Sequence, residues 1–211
     1  NAGTVSEPHI HNVDIDVLNI EAQIAFATEN AIDLTVIGPE APLVAGAVDA
    51  FNAAGLRCFG PRKLAAQLEG SKSFTKDFLQ RHQIPTAAYE TFTETEPALA
   101  FAKTRSLPIV IKADGLAAGK GVVIAESFEQ VEETVRDMLS GNAFGEAGAR
   151  IVIEDFLEGE EASFIVIADG SNFLPFASCQ DHKRAYDGDT GPNTGGMGAY
   201  SPAPVVTEVV H

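Results

Sequence analysis

The residues predict an α/β region running into an α+β region, and three observations support this. Residues 32–62 alternate strand, loop, helix and strand in the rhythm of an open parallel sheet with crossover helices. Residues 89–157 instead read strand, helix, strand, loop, strand, helix, strand, the pattern of a compact α+β unit. Beyond them, Glu161-Ala162-Ser163-Phe164-Ile165-Val166-Ile167 pairs across Asp169-Gly170 with Phe173 to Cys179, a strong hairpin signal.

Taken in order, Asn19 to Asn30 has helical spacing, Ile32 to Ile37 reads as a strand ending in Gly38-Pro39-Glu40, and Pro42 to Ala53 reads as a helix. Cys58-Phe59 makes a short strand before Gly60-Pro61. Glu40 therefore follows a strand's carboxyl end, where open α/β sheets bind ligands, and is a candidate site residue. An acidic charge favoured by the helix macrodipole is the competing reading. Phe74, Phe78 and Leu79 share one helical face, with Ser71 or Ser73 as cap of a helix running to about His82. Lys72 falls in the first turn, where the dipole disfavours a cation, so it needs an anion or free solvent. A strand over Tyr89 to Phe92, a helix over Glu94 to Arg105, a helix over Ser127 to Leu139 and a strand over Arg150 to Leu157 follow. Gly141 to Gly148 is a small-residue linker. Asp181 to Ser201 is predicted as a long polar, glycine-rich loop, and loops of that length are functional or disordered.

The most informative segment is Ile109-Val110-Ile111-Lys112-Ala113-Asp114-Gly115-Leu116-Ala117-Ala118-Gly119-Lys120-Gly121-Val122-Val123-Ile124. Two β-branched runs flank a turn whose glycines at 115, 119 and 121 let backbone N–H groups close on an anion. Lys112 and Lys120 supply cations, so the segment reads as a cradle for nucleotide phosphates. The Walker loop needs four residues between its glycines and Ser or Thr after the lysine, whereas Gly115 and Gly119 enclose three and Gly121 follows Lys120. The dinucleotide fingerprint needs a later glycine and a helix, but strand continues at Val122. A hairpin that merely turns the chain is the plain alternative.

With 211 residues and 45% hydrophobic content, the chain can bury a real core. It contains no apolar run of membrane-spanning length, and Asn1-Ala2-Gly3-Thr4 lacks the character of a signal peptide, so a cytoplasmic protein is expected. Cys58 and Cys179 have no metal-ligand spacing and read as reduced, partly buried thiols. The formal charge of -16 argues against nucleic acid or an anionic membrane as partner, yet glycine-flanked lysines leave room for a positive pocket. Glu129, Glu132 and Glu133 read as a solvated helix face.

Ile151-Val152-Ile153-Glu154-Asp155-Phe156-Leu157-Glu158-Gly159-Glu160-Glu161 is an apolar strand that breaks into an acidic linker, and it resembles the hinge of the ATP-grasp enzymes. The resemblance puts Glu154 and the backbone of Asp155 and Leu157 at the adenine positions and Glu161 at the ribose, with Glu160 open by a one-residue slip. A carboxylate suits ribose because vicinal hydroxyls can both donate to it. Three further blocks are Leu68-Glu69-Gly70-Ser71-Lys72, the segment from Lys112 to Gly121, and Gln180-Asp181-His182-Lys183-Arg184 leading to Gly191-Pro192-Asn193-Thr194-Gly195-Gly196-Met197-Gly198-Ala199-Tyr200-Ser201-Pro202. With the hinge, they are similar through essentially the whole chain to the phosphoribosylamine–glycine ligase family.

That resemblance implies an ATP-dependent ligation of glycine to 5-phosphoribosylamine through glycyl phosphate, in de novo purine synthesis, releasing ADP and phosphate. It implies ATP and Mg2+ as cofactors, and small-molecule partners only. Lys72 and Lys112 would screen the phosphates, with Gly115, Gly119, Lys120 and Gly121 in the loop above them. Glu40 would meet the phosphoribosyl substrate, while Asp181, Lys183, Asn193 and Thr194 would lie near glycine and the γ-phosphate. For Asp181 and Lys183 a surface ion pair is the plain alternative. Met197 and Tyr200 are expected to pack rather than react.

The implied architecture is the end of an N-terminal parallel domain over 1–62, a linker and first helix over 63–84, an ATP-grasp lid over 85–157, and the start of the larger ATP-grasp subdomain over 158–211. The family's first strand with its glycine-rich turn is missing, and so is the strand whose Glu and Asn bind Mg2+, so those ligands are expected beyond residue 211. Truncation at both ends leaves three expectations open: a fragment without turnover of its own, a noncatalytic nucleotide-binding module, and a neighbouring purine-pathway carboxylase or transformylase. The block over 191–202 disfavours the last.

Overall fold

The computed structural model describes residues 4, 7–116, 121–141, 148–188 and 190–209. The chain forms two compact units, residues 1–156 and 157–211.

In the first unit, α1 (Ile20–Glu29) starts where the Asn19 side chain accepts the Ala22 N–H at 3.1 Å. Strand β1 (Thr35–Val36) pairs in parallel with β2 (Cys58–Phe59), as the β-loop-α-β rhythm requires. The strand expected over Ile32 to Ile37 shortens to these residues because its partner is equally short. The helix expected over Pro42 to Ala53 is two helices, α2 (Glu40–Ala45) and α3 (Ala47–Ala53). Gly46 breaks it at φ +100°, the left-handed region that closes helices, and a Cβ there would sit 3.3 Å from the Lys63 side chain. A helix that the sequence had left within a linker, α4 (Lys63–Gly70), is anchored by the Lys63 N–H donating to the Asp49 carboxylate at 2.7 Å. Ser71 then caps α5 (Lys72–Arg81), accepting from the Phe74 N–H.

The rest of this unit is a four-stranded antiparallel sheet of order β3-β6-β4-β5, comprising β3 (Tyr89–Phe92), β6 (Ile151–Asp155), β4 (Ile109–Ala113) and β5 (Val122–Ala125). The two helices of this part are α6 (Thr95–Ala102) and α7 (Phe128–Leu139). Alternation divides the sheet into two faces. Ile109, Ile111, Ile151 and Ile153 form a core with Leu99 of α6 and Val131, Val135 and Met138 of α7. Glu129, Glu132 and Glu133 on α7 are exposed, as their spacing predicts. The other face carries Lys112 and Val110 of β4 opposite Val152 and Glu154 of β6, and α5 packs on that strand.

The second unit is built of hairpins. Strands β7 (Val166–Ala168) and β8 (Phe173–Pro175) pair across a turn in which the Asp169 carboxylate accepts the Asn172 N–H at 2.7 Å and the Ser171 N–H at 2.8 Å. Those bonds, led by Asn172, pull the Asp169 carboxyl down to about 2. The expected loop over Asp181 to Ser201 is instead a second antiparallel hairpin, β9 (Gln180–Tyr186) with β10 (Thr190–Tyr200), bulged on either side of Asn193. Glycine, proline and asparagine disfavour strand locally, but the register with β9 overrides that preference. Gly191 is obligatory there: at φ +85° a Cβ would come within 2.3 Å of the Tyr186 ring. Met197, expected to pack, is 61% exposed, whereas Tyr200 donates its hydroxyl to the Gln180 amide oxygen at 2.7 Å.

Ile153 is fully buried in the centre of the sheet core. Ile153→Ala is expected to lower unfolding stability by about 2–5 kcal/mol, read as a reduced urea midpoint; a loss under about 1 kcal/mol would show that this core is not close-packed.

Candidate functional site

The face of the β3-β6-β4-β5 sheet turned away from α6 and α7 carries a cluster of charged residues. Lys112 and Glu154 are diagonal neighbours on it, because Lys112 stands opposite Val152 and Glu154 opposite Val110. Their side chains form an ion pair, Lys112 Nζ to Glu154 Oε1. Glu154 is only 6% exposed, so its carboxylate demands compensation. A second cation arrives from α5: Lys76 Nζ lies 2.5 Å from Glu154 Oε2. That approach is a charge contact rather than an aligned hydrogen bond, since Oε2 has no aligned donor. Lys76 also donates to Thr86 Oγ1 at 2.7 Å and reaches the Ala87 carbonyl at 3.4 Å.

Sequence reasoning missed Lys76. It lies one helical turn after Lys72, but a lysine is exposed by default and nothing in the pattern marks this one as buried.

Asp114, at the end of β4, was also unassigned, and it ties the glycine-rich segment to the start of α5. Its carboxylate accepts the Ser73 N–H at 2.7 Å and the hydroxyls of Ser73 and Ser71 at 3.0 and 3.1 Å. Its carbonyl accepts the Lys72 N–H at 3.0 Å. A carboxylate at a helix N-terminus is favoured by the dipole and the free N–H groups there. Arg150 adds a longer contact at 3.8 Å.

Lys72, the cation in that same first turn, donates its Nζ to the Gly115 carbonyl at 3.0 Å. Burial holds its pKa below the ordinary value of 10.5; Asp114 opposes the shift and the nearby Lys112 charge adds to it. Glu69 also opposes the shift, and the lysine is half-buried rather than freely solvated. Gly121 is buried, and its carbonyl accepts the Ala113 N–H at 2.8 Å. Gly119 and Lys120 lie outside the described residues.

At the end of β6, Asp155 pairs through both carboxylate oxygens with Arg105, and its N–H donates to the Ala88 carbonyl at 3.0 Å. Glu40 opens α2 just beyond β1 and is exposed.

In the second unit Leu157 is 68% exposed and Glu160 is exposed. Glu161 and Lys183 come together at 2.6 Å, and Lys183 lies 3.7 Å from Asp181. The hydrogen bond that Lys183 donates to Glu161 leads in holding the Lys183 pKa up. Thr194 accepts the Gly196 N–H at 3.0 Å. Asn193 stands opposite Arg184 in the hairpin register, while its side chain lies outside the described residues. Cys58 and Cys179 are free and half-buried.

Two family models cover the chain. That of the phosphoribosylglycinamide synthetase N domain matches residues 1–69, and that of the ATP-grasp (A) domain of the same enzyme matches residues 70–211. The chain belongs to the phosphoribosylglycinamide synthetase family. Members at high identity include the phosphoribosylamine–glycine ligases of Vibrio parahaemolyticus and Escherichia coli K12, each 67% identical, and that of Salmonella typhimurium, 68% identical. Each is aligned over all 211 residues, and the chain spans 49% of each of these curated relatives.

A crystal structure of the Thermotoga maritima phosphoribosylamine–glycine ligase is 42% identical, with a TM-score of 0.66 over 70% of this chain and 38% of that one. The biotin carboxylase domain of a Hydrogenobacter thermophilus 2-oxoglutarate carboxylase, solved with MgADP, ADP and bicarbonate, shares the fold at 20% identity. Its TM-score is 0.67 over 82% of this chain and 40% of that one. The expected ATP-grasp fold is therefore present in this member of the synthetase family.

Because burial depresses the Lys72 pKa, its cation burdens the fold fully at pH values below the folded pKa, and the burden lifts as pH rises towards 10.5. Lys72→Met is accordingly expected to leave the urea midpoint at pH 7 unchanged or higher, with any gain fading by pH 10. A clearly lower midpoint at pH 7 would mean that the bond to Gly115 outweighs desolvation.

Proposed function

We propose that this chain carries the nucleotide-binding part of an enzyme that uses ATP to join glycine to 5-phosphoribosylamine, giving glycinamide ribonucleotide, ADP and phosphate. The family membership and the named activity of its relatives support the substrates. The observation that carries the nucleotide reading is the cationic face formed by Lys72 and Lys112. Lys112 keeps 28% of its side chain open to solvent, and Lys72 is half-buried, its desolvation offset only in part by Asp114 and Glu69. Both suit an anion, and polyphosphate is an anion that lysines beside a glycine-rich turn accommodate.

ATP, when bound, supplies the phosphoryl group that converts a poorly electrophilic carboxylate into an acyl phosphate. In this reading Lys72 and Lys112 screen the α and β phosphates, and backbone groups from Gly115 to Gly121 close over them. Glu154 and the backbone of Asp155 and Leu157 take the adenine edge, and Glu161, with Glu160 as the one-residue alternative, takes the ribose hydroxyls. Glu161 is held by Lys183 at 2.6 Å, so nucleotide binding would exchange that exposed pair for ribose. Asp181, Lys183, Asn193 and Thr194 would orient glycine, and the exposed Glu40 would meet the phosphoribosyl group. Proximity and charge screening do most of this work, with little demand for proton transfer by the protein.

Mg2+ requires an oxygen-rich set of ligands. Among the described residues, no group of at least three His, Cys, Asp or Glu side chains could hold a metal ion, so these residues do not supply that set. No described helix is long and apolar enough to cross a membrane, and we place the reaction in the cytoplasm.

Losing the charge-assisted bonds of Lys112 is expected to weaken ATP binding about tenfold or more in Lys112→Ala, and Glu161→Ala about fivefold. Titration calorimetry reads both, and unchanged affinity in both would remove the cradle and hinge assignments. In the complete protein, Glu40→Ala should instead weaken use of phosphoribosylamine and leave ATP binding nearly intact; equal losses for both would make Glu40 structural. ADP formation by the complete protein should require glycine and freshly generated phosphoribosylamine together, and ADP release indifferent to both would refute the ligase reading.

A further inference from the structure

The carboxylate of Glu154 is shared by two lysines, only one of which faces solvent. Lys76 is 8% exposed and is fixed by Thr86 and Ala87 as well as by Glu154, so it has no freedom to meet a ligand. Lys112 makes the same carboxylate contact from the open side, with 28% of its side chain exposed. The trio carries one negative and two positive charges, and the uncompensated positive charge lies on its outer edge.

Resting on the nucleotide reading above, we infer that Lys76 is a positioning residue that neutralises Glu154 and thereby leaves the Lys112 charge available to nucleotide phosphates. A buried carboxylate with a single cationic neighbour would hold that cation tightly, because its charge has no other compensation. With Lys76 in place, Lys112 can turn part of its donor set to a phosphate while Glu154 stays paired. Glu154 therefore acts from beneath the site as the anchor that sets where Lys112 points. Lys76 sets how strongly that anchor pulls.

This role separates from simple packing by its dependence on phosphate. In Lys76→Met, affinity for ATP and ADP is expected to fall about tenfold or more, while affinity for adenosine stays within about twofold of the unmodified protein. Adding Glu154→Gln to Lys76→Met removes the excess pull on Lys112 and should return the ratio of ATP to adenosine affinity to within about threefold of the starting value, a ratio that cancels any change at the adenine itself, whereas Lys76→Arg should retain both affinities. Calorimetry with adenosine, ADP and ATP on the four proteins, with thermal unfolding alongside, reads the set. Equal loss for adenosine and ATP in Lys76→Met, or a double variant that recovers stability but not the ratio of ATP to adenosine affinity, would overturn the inference and leave Lys76 a packing residue. If Lys76→Met does not fold, the double variant and Lys76→Arg still decide. An unmodified protein that binds adenosine but gains nothing from phosphates refutes this inference alone. One that binds neither adenosine nor ATP removes the nucleotide reading itself.

Discussion

A carboxylate buried under a sheet needs cations, and Glu154 draws in one from each side. That constraint organises the first unit. Lys112 is held on β4 and Lys76 on α5, so the charge contact fastens the helix to the sheet face that the core does not use. The opposite face is closed by aliphatic packing against α6 and α7. One sheet thus has an apolar side that stabilises and a charged side, and strand alternation is enough to keep them apart. Replacing such a trio with apolar residues of similar volume is often neutral or stabilising, so stability alone does not account for it.

The second organising contact lies at the edge of the same face. Asp114 receives the first N–H groups and hydroxyls of α5 and leads directly into Gly115, whose carbonyl receives Lys72. The helix start and the root of the glycine-rich segment therefore share one junction. This half-buries Lys72 beside a second lysine, and desolvation first, with a smaller push from Lys112, holds the Lys72 pKa down. Local strain of this kind is consistent with an anion-binding face.

The pattern made three strands of the sheet especially legible, because Ile109–Ala113, Val122–Ala125 and Ile151–Asp155 are apolar runs rich in β-branched residues with clear breakers beside them. Lys112 and Gly115 were legible because a lysine leading into a glycine-rich turn is a local signal, and Lys72 because it follows a helix cap. What escaped was decided by partners distant in sequence. Thr190 to Tyr200 looks like loop because its residues disfavour strand, and only β9 makes it one. Gly46 splits a helix through a backbone angle that no hydrophobic period reveals. Lys76 and Asp114 became visible only once the fold had brought Glu154 to the former and the start of α5 to the latter.

The strand order carries a consequence for how the chain is made. Strand β3 has a single neighbour in the sheet, β6, which follows it by about sixty residues and is also the inner partner of β4. As a nascent chain emerges from its N-terminus, β3, β4, β5 and both covering helices appear before the strand that joins them. The β4–β5 hairpin can form early from local contacts, yet β3 has nothing to pair with until residues 151–155 arrive. Closure of the sheet and burial of Glu154 are therefore one late event, so the charged face is assembled only when the scaffold is complete.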